Sequence, residues 1–382
     1  MTAAAVAAER IGFGPIRPRA RLRELALLGV VAVTLVVGSA SLGATERLGA
    51  GGAGQGKGGL AAFPLANETQ LLVYLAALLG AHLAQVLAGR RTDQILLPAV
   101  GMLGGISLLL MERLPQGLAG QLGGLATTQL VWLLISVGVL TVLAIAVRSD
   151  AWLRLYKYTW AAAGIALLLL TFLFGRDVNG ARLTLAVGPI SMQPSELLKV
   201  ILVVFLAGYL SEFRPLLVEQ SWRVGPLRLP PVPYLAPMVA MWAIALGIVV
   251  VQRDLGAALL FFAAFLLLLY IATARAVYVA VGVVAFVLGA ALMYRLFGVV
   301  QQRVDVWLNP WSDPQGAGYQ QIQALYAFAR GGLLGTGLGA GLPTVGGRLP
   351  IPAVHTDFPF AALGEELGLI GILAILGLYL VV

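Results

Sequence analysis

Residues 355–358 read His355-Thr356-Asp357-Phe358, and Pro359 to Val382 continue as PFAALGEELGLIGILAILGLYLVV. From Phe358 onward the run is uncharged for 25 residues except at Glu365 and Glu366. A helix rises 1.5 Å per residue, so about 20 apolar residues cross the ~30 Å hydrocarbon core of a bilayer, and this run predicts a membrane span. Nine more such runs lie upstream, near residues 25–43, 69–89, 94–111, 128–147, 159–174, 195–211, 235–252, 255–273 and 276–294. The 382-residue chain is 60% hydrophobic and only 11% charged, which excludes an ordinary water-soluble domain. The expected fold is all-α, a polytopic transmembrane helical bundle of about ten spans.

Charge sets the orientation. Arg10, Arg17, Arg19, Arg21 and Arg23 precede the first span, so residues 1–24 form a basic cytoplasmic N-terminus by the positive-inside rule. Alternate segments on that side carry fourteen Lys and Arg residues and the opposite side carries six, which agrees. Nine crossings then place residues 295–357 outside the cytoplasm, as the one large extracytoplasmic loop. The first apolar run is span-length and no small-residue cleavage site follows it, so a retained helix is expected and not a cleaved signal peptide. The net charge of +8 does not point to nucleic acid, because the charges sit between apolar runs and form no single wetted face. With no Cys and only His82 and His355, there is no disulfide framework, Cys-rich zinc site or thiol nucleophile.

Two glycine-rich stretches imitate nucleotide loops. Gly51 to Lys57 has phosphate-loop spacing, but Gly58 stands where a magnesium-binding Ser or Thr belongs, and no strand precedes it. Gly331-Gly332 with Gly335, Gly337, Gly339 and Gly341 lacks a strand-helix unit, and is read as a segment that must bend and pack closely.

Ionisable groups inside apolar spans are costly, so each suggests a function and a partner. Glu196 and Lys199 share one helix face at i,i+3 after Gln193-Pro194-Ser195. Arg253 and Asp254 form a polar turn between two spans, which a solvated turn would also explain. Asp357 stands at the start of the last span, where it could be an N-cap, a catalytic carboxylate or both. Glu365 and Glu366 lie about 100° apart on a helix, so they cannot face the same way. Together these groups predict a polar pocket near the outer membrane face.

The segment from Tyr319 to Gly368, YQQIQALYAFARGGLLGTGLG followed by PIPAVHTDFPFAALGEELG, closely resembles the signature of the SEDS family, the RodA, FtsW and SpoVE group of bacterial cell-wall proteins. Asn179-Gly180-Ala181-Arg182, Gln193 to Lys199 and Asp254-Leu255-Gly256 agree in order and spacing. The resemblance covers residues 175–382, a SEDS-like catalytic core. Residues 25–174 hold five spans where the family has three, so two N-terminal helices are additional. Two further departures are Arg253 in place of a Pro and Leu183-Thr184 in place of an Arg-Trp pair. The chain ends in mid-span, so the family's last two helices are expected to be missing.

The resemblance implies a peptidoglycan glycosyltransferase of the bacterial plasma membrane, serving cell-wall elongation or division. Its substrate would be lipid II, a disaccharide-pentapeptide on undecaprenyl pyrophosphate, and its partner a class B penicillin-binding protein. The family's essential acid falls on Asp357, the implied general base. Arg182, Lys199 or a divalent cation would balance the leaving pyrophosphate, with Glu196 orienting Lys199. Asp254, Gln320, His355, Thr356 and Glu366 are the further implied substrate contacts. Any metal would be a hard, oxygen-bound ion, Mg or Mn, with Asp357 as a ligand. The rival readings are a lipid II flippase or other transporter, and a non-catalytic scaffold for the transpeptidase. A transporter would need charge along its pore, and the inner halves of these spans are almost bare of it.

Overall fold

The computed structural model describes residues 18–49, 68–89, 92–114, 124–147, 149–178, 181–187, 190–219, 222–224, 227–229, single positions between 236 and 247, 255–341 and 350–382. The helices are α1 (Leu22–Gly49), α2 (Glu68–Leu87), α3 (Leu96–Arg113), α4 (Leu125–Ala146), α5 (Ala151–Leu155) and α6 (Lys157–Phe174). Three short strands follow, β1 (Arg176–Val178), β2 (Ala181–Val187) and β3 (Ile190–Met192), and then α7 (Pro194–Glu219). The chain goes on through β4 (Trp222–Val224), β5 (Leu227–Leu229), α8 (Leu255–Thr273), α9 (Ala276–Leu296), α10 (Gly298–Leu308), α11 (Tyr319–Gly331) and α12 (Pro359–Val381).

Among the described residues eight helices, α1 to α4, α6, α7, α9 and α12, are long and apolar enough to cross a membrane. The run at 255–273 is the shorter apolar helix α8. The expected span at 235–252 lies almost wholly outside the described residues, as do Gly51–Lys57 and Asp254. Burial supports lipid as the solvent. Almost none of α4 or α9 is covered by protein, although both are strongly apolar. In water such surface would drive aggregation, whereas hydrocarbon tolerates it.

The structure adds detail that periodicity did not carry. Residues 176–194, read as a loop, hold an antiparallel meander β1-β2-β3, with Asp177 paired in register with Arg182. The segment 211–233, also read as a loop, begins with eight or more further residues of α7 and then holds the β4-β5 hairpin.

The chain divides into two compact units, Met1–Arg148 with Gln301–Val382, and Ser149–Val300. The second unit packs α6, α7 and α8 around Leu168, Phe205, Leu206, Tyr209 and Phe261. The first unit has two apolar centres. One joins α1 to α4 through Leu35, Leu71, Tyr74 and Leu108, and Tyr74 donates its hydroxyl to the Gly101 carbonyl at 3.0 Å. The other joins the end of α3 to α11 and α12 through Leu110, Ala324, Ala327, Ala361 and Ala362.

A buried polar clasp ties α1 and α2 to the lead-in of α3. Arg21 and Glu24 form an ion pair, and the other Glu24 oxygen meets His82 Nδ1 at 2.6 Å. Arg21 also donates to the Thr92 hydroxyl at 2.7 Å and the Asp93 carbonyl at 2.8 Å, and Thr92 donates to Gln85 at 3.0 Å. Glu24 is fully buried and Arg21 nearly so. Glu24→Ala would leave the guanidinium buried without its counter-charge, so a loss of about 3–5 kcal/mol is expected. Reversible unfolding in detergent checks this, and a change below about 1 kcal/mol would show that the clasp does not stabilise the helices.

Candidate active site

Asp357 sits in a tight turn before α12. Its N–H and that of Thr356 donate to the Ala353 carbonyl at 2.9 and 3.0 Å, and the Thr356 hydroxyl donates to the same oxygen at 3.1 Å. Ala353 takes a positive φ of 50° to make this turn. The N-cap position of α12 is Phe358, with Pro359 in the first turn and no side-chain cap. The Asp357 carboxylate is therefore not spent on capping. It is exposed and accepts from Gln320 Nε2 at 3.3 Å, while the same amide donates to the Pro352 carbonyl at 2.8 Å. Gln320 thus pins the Asp357 turn to the first turn of α11. His355 is half-buried beside them, with its Nδ1 buried and without a hydrogen-bond partner among the described residues.

Both acids of the last span are buried, and both lie against arginines. Glu366 pairs with Arg113 at the end of α3, and Glu365 meets Arg330 of α11 at 3.4 Å. Glu366 Oε1 also accepts the N–H groups of Gly339 at 2.9 Å and Gly341 at 3.3 Å. The closest arginine contact differs between the two acids, as their angular separation allows, while the Glu365 charge also acts on Arg113. Arg113 and Arg330 were not among the residues read as site residues. Their only sequence signal is a lone cation in the last turn of a helix, which the helix dipole alone would account for.

α12 is broken at Gly368, with φ 65° and ψ −170°. In a continuous helix Leu369 and Ile370 would donate to the carbonyls of Glu365 and Glu366. Here they donate to Gly332 and Leu333 at 3.0 and 3.2 Å, and the freed carbonyls take Thr336 N–H at 2.9 Å and Gly337 N–H at 3.0 Å. The glycine-rich segment after α11 has entered the break and pairs these four backbone groups, as a helix break within a membrane span requires. This fulfils the expectation of a segment that bends and packs closely. A Cβ at Gly335 would lie 2.0 Å from the Glu366 carbonyl.

The remaining site residues lie in the second unit. Glu196 and Lys199 form the i,i+3 ion pair expected from their spacing, at 2.6 Å, with Lys199 partly buried and Glu196 exposed. Arg182 belongs to β2. Among the described residues no three acidic or His side chains gather to hold a metal. Glu365 and Glu366 are taken by arginines, so Asp357 would be a lone protein carboxylate for a cation. Among the described residues this donor set does not by itself make a Mg or Mn site.

The fold and site define a multi-pass helical membrane protein with an exposed carboxylate, held by an amide, at the head of a broken span. The family model for FtsW/RodA/SpoVE cell cycle proteins matches residues 91–382. The peptidoglycan glycosyltransferase RodA of Mycobacterium leprae is 33% identical over 371 residues, covering 96% of this chain and 76% of that protein. RodA of Mycobacterium tuberculosis is 36% identical over 318 residues, covering 81% of this chain and 66% of that one. The probable peptidoglycan glycosyltransferase FtsW of Nitrosococcus halophilus is 40% identical over 227 residues, covering 57% and 53%. Among solved structures, a peptidoglycan synthase complex aligns at 23% identity over 83% of this chain and 75% of the other, with a TM-score of 0.46. RodA of Thermus thermophilus aligns at 22% over 82% and 71%, with a TM-score of 0.37.

The chain belongs to the FtsW/RodA/SpoVE family, the SEDS group that its motifs resemble. The curated relatives named above are peptidoglycan glycosyltransferases, which favours the enzyme reading over transporter and scaffold. The family match begins at residue 91, after α1 and α2, and the alignment with the leprae protein covers 96% of this chain.

Proposed function

We propose that this chain is a plasma-membrane peptidoglycan glycosyltransferase that polymerises lipid II, with Asp357 as general base and its N-terminus in the cytoplasm. The observation that carries this reading is the state of the three acids near the head of α12. Glu365 and Glu366 are neutralised by arginines, and Asp357 alone is exposed with a lone amide donor, held in place by Gln320. Asp357 takes the proton of the acceptor sugar hydroxyl. That oxygen attacks the anomeric carbon of the donor, whose bond to the pyrophosphate breaks with its electron pair leaving on the lipid pyrophosphate. By the family resemblance, Lys199, Arg182 or a divalent cation is the counter-charge to that pyrophosphate, with Glu196 orienting Lys199. Gln320, His355, Thr356 and Asp254 are the further substrate contacts that the resemblance implies. A class B penicillin-binding protein cross-links the product.

The test is polymerisation of purified lipid II by the complete protein with its transpeptidase in detergent, with products resolved by glycan length. Long strands are expected, and Lys199→Ala should slow their formation about a hundredfold, the effect of removing one group that stabilises developing charge. No strands under any condition, together with lipid II movement across vesicles, would favour the transporter. Equal strands from Lys199→Ala would remove Lys199 from the chemistry.

A further inference from the structure

We infer that Glu366 is a positioning residue that fixes the Asp357 segment of α12, and not a ligand of the substrate. The inference rests on the glycosyltransferase reading. One carboxylate oxygen, Glu366 Oε1, is the meeting point of three separate pieces of chain: Arg113 at the end of α3, the N–H groups of Gly339 and Gly341, and α12 itself. The residue is 2% exposed. Two residues beyond it the helix is broken, so the half from Pro359 to Leu367 has no helical continuity with the span below. That half must be held by its neighbours.

The neighbours act at both ends. At the head, Gln320 of α11 reaches Asp357, and at the foot, Arg330 of α11 reaches Glu365 while Arg113 and the glycine segment hold Glu366. α11 therefore runs beside the half-helix in the same direction, and a ring contact between Phe328 and Phe360 lies between these ends. Two acids and two arginines balance in charge at the foot. The Arg113 guanidinium is itself almost covered, so it has no water to replace a lost carboxylate. Removing the Glu366 charge frees the foot of the half-helix, and the displacement is carried along its two helical turns to the Asp357 turn just ahead of Pro359. Misplacing a catalytic group by ~1 Å costs on the order of a hundredfold in rate, with little effect on substrate affinity.

Glu366→Gln tests this, because the amide oxygen still accepts the two glycine N–H groups and only the charge against Arg113 is lost. The chain contains no cysteine, so a nitroxide on Thr356→Cys reports the Asp357 turn, and one on Ser312→Cys serves as a control. Glu366→Gln is expected to lower kcat at least tenfold with KM for lipid II within twofold, and to raise label mobility at 356 and not at 312. Should that variant fail to accumulate, Arg113→Lys, which keeps the charge and loses the fork, is expected to move both readouts in the same direction. A raised KM with unchanged kcat would make Glu366 a substrate ligand and overturn the proposal. Unchanged mobility at 356, or equal changes at both labels, would overturn it too. Wild-type protein that makes no glycan would refute the polymerase reading, while the label comparison would still decide whether Glu366 holds the turn.

Discussion

Asp357→Asn is expected to lower the rate of lipid II polymerisation by about 10²–10⁴-fold, the range that a positioned general base contributes. The amide is nearly isosteric with the carboxylate, and its oxygen still accepts from Gln320 Nε2, which now lies at 3.3 Å. The turn itself is made by backbone N–H groups and the Thr356 hydroxyl on the Ala353 carbonyl, so it does not depend on the Asp357 side chain. What Asn lacks is the capacity to take a proton from a sugar hydroxyl. The variant should therefore insert, melt with the wild-type protein and bind the same transpeptidase while making strands at that lowered rate. Strands of wild-type length and rate from Asp357→Asn would remove it as the base. A fall in melting temperature matching the loss of rate would mean that the carboxylate serves the fold. Because Gln320 donates to both Asp357 and the Pro352 carbonyl, Gln320→Ala should reproduce a fraction of the loss, by letting the turn move rather than by removing the proton acceptor.

The spans were legible because lipid imposes a length of about 20 apolar residues on any helix that crosses it, and that length is visible without partners. The Glu196–Lys199 pair was legible for a similar reason, since i,i+3 neighbours meet on any helix. Contacts made across the chain left no such trace. Glu366 and Arg113 are 253 positions apart, and nothing local in the Met111-Glu112-Arg113 end of α3 says that its arginine is buried against the last span. The hairpins at 176–192 and 222–229 were equally silent, because their strands are mostly three residues long, too short for an alternation to register. The identity of Asp357 as the free acid needed both kinds of information. Sequence placed three acids in one run, and only the arginines of α3 and α11 show which of them are occupied.

Gly368→Ala is expected to destabilise the protein by about 3 kcal/mol or more and to inactivate it. A continuous apolar run gives no sign of the break, since glycine is common in membrane helices and Leu367-Gly368-Leu369 reads as uninterrupted span. Yet φ 65° with ψ −170° is a conformation open essentially to glycine alone, and forcing another residue into it costs about 1–3 kcal/mol. An added Cβ would also stand 2.3 Å from the Gly335 nitrogen and 2.6 Å from the Leu333 carbonyl oxygen, both backbone atoms that no rotamer can move aside. The chain has one escape, which is to straighten. Leu369 and Ile370 would then return to the carbonyls of Glu365 and Glu366, and the N–H groups of Thr336 and Gly337 would be left without partners beside a membrane span. Hydrogen exchange separates the outcomes. In the wild-type protein the amides of Thr336, Gly337, Leu369 and Ile370 should all be protected, and in Gly368→Ala the first two should exchange quickly. Gly377→Ala lies in the same helix with nothing within 4 Å of its added carbon, so it should change stability by no more than about 1 kcal/mol, and in the favourable direction. If Gly368→Ala behaved like Gly377→Ala, α12 would not need its break, and the half-helix that carries Asp357 would owe its place to the arginine pairs alone.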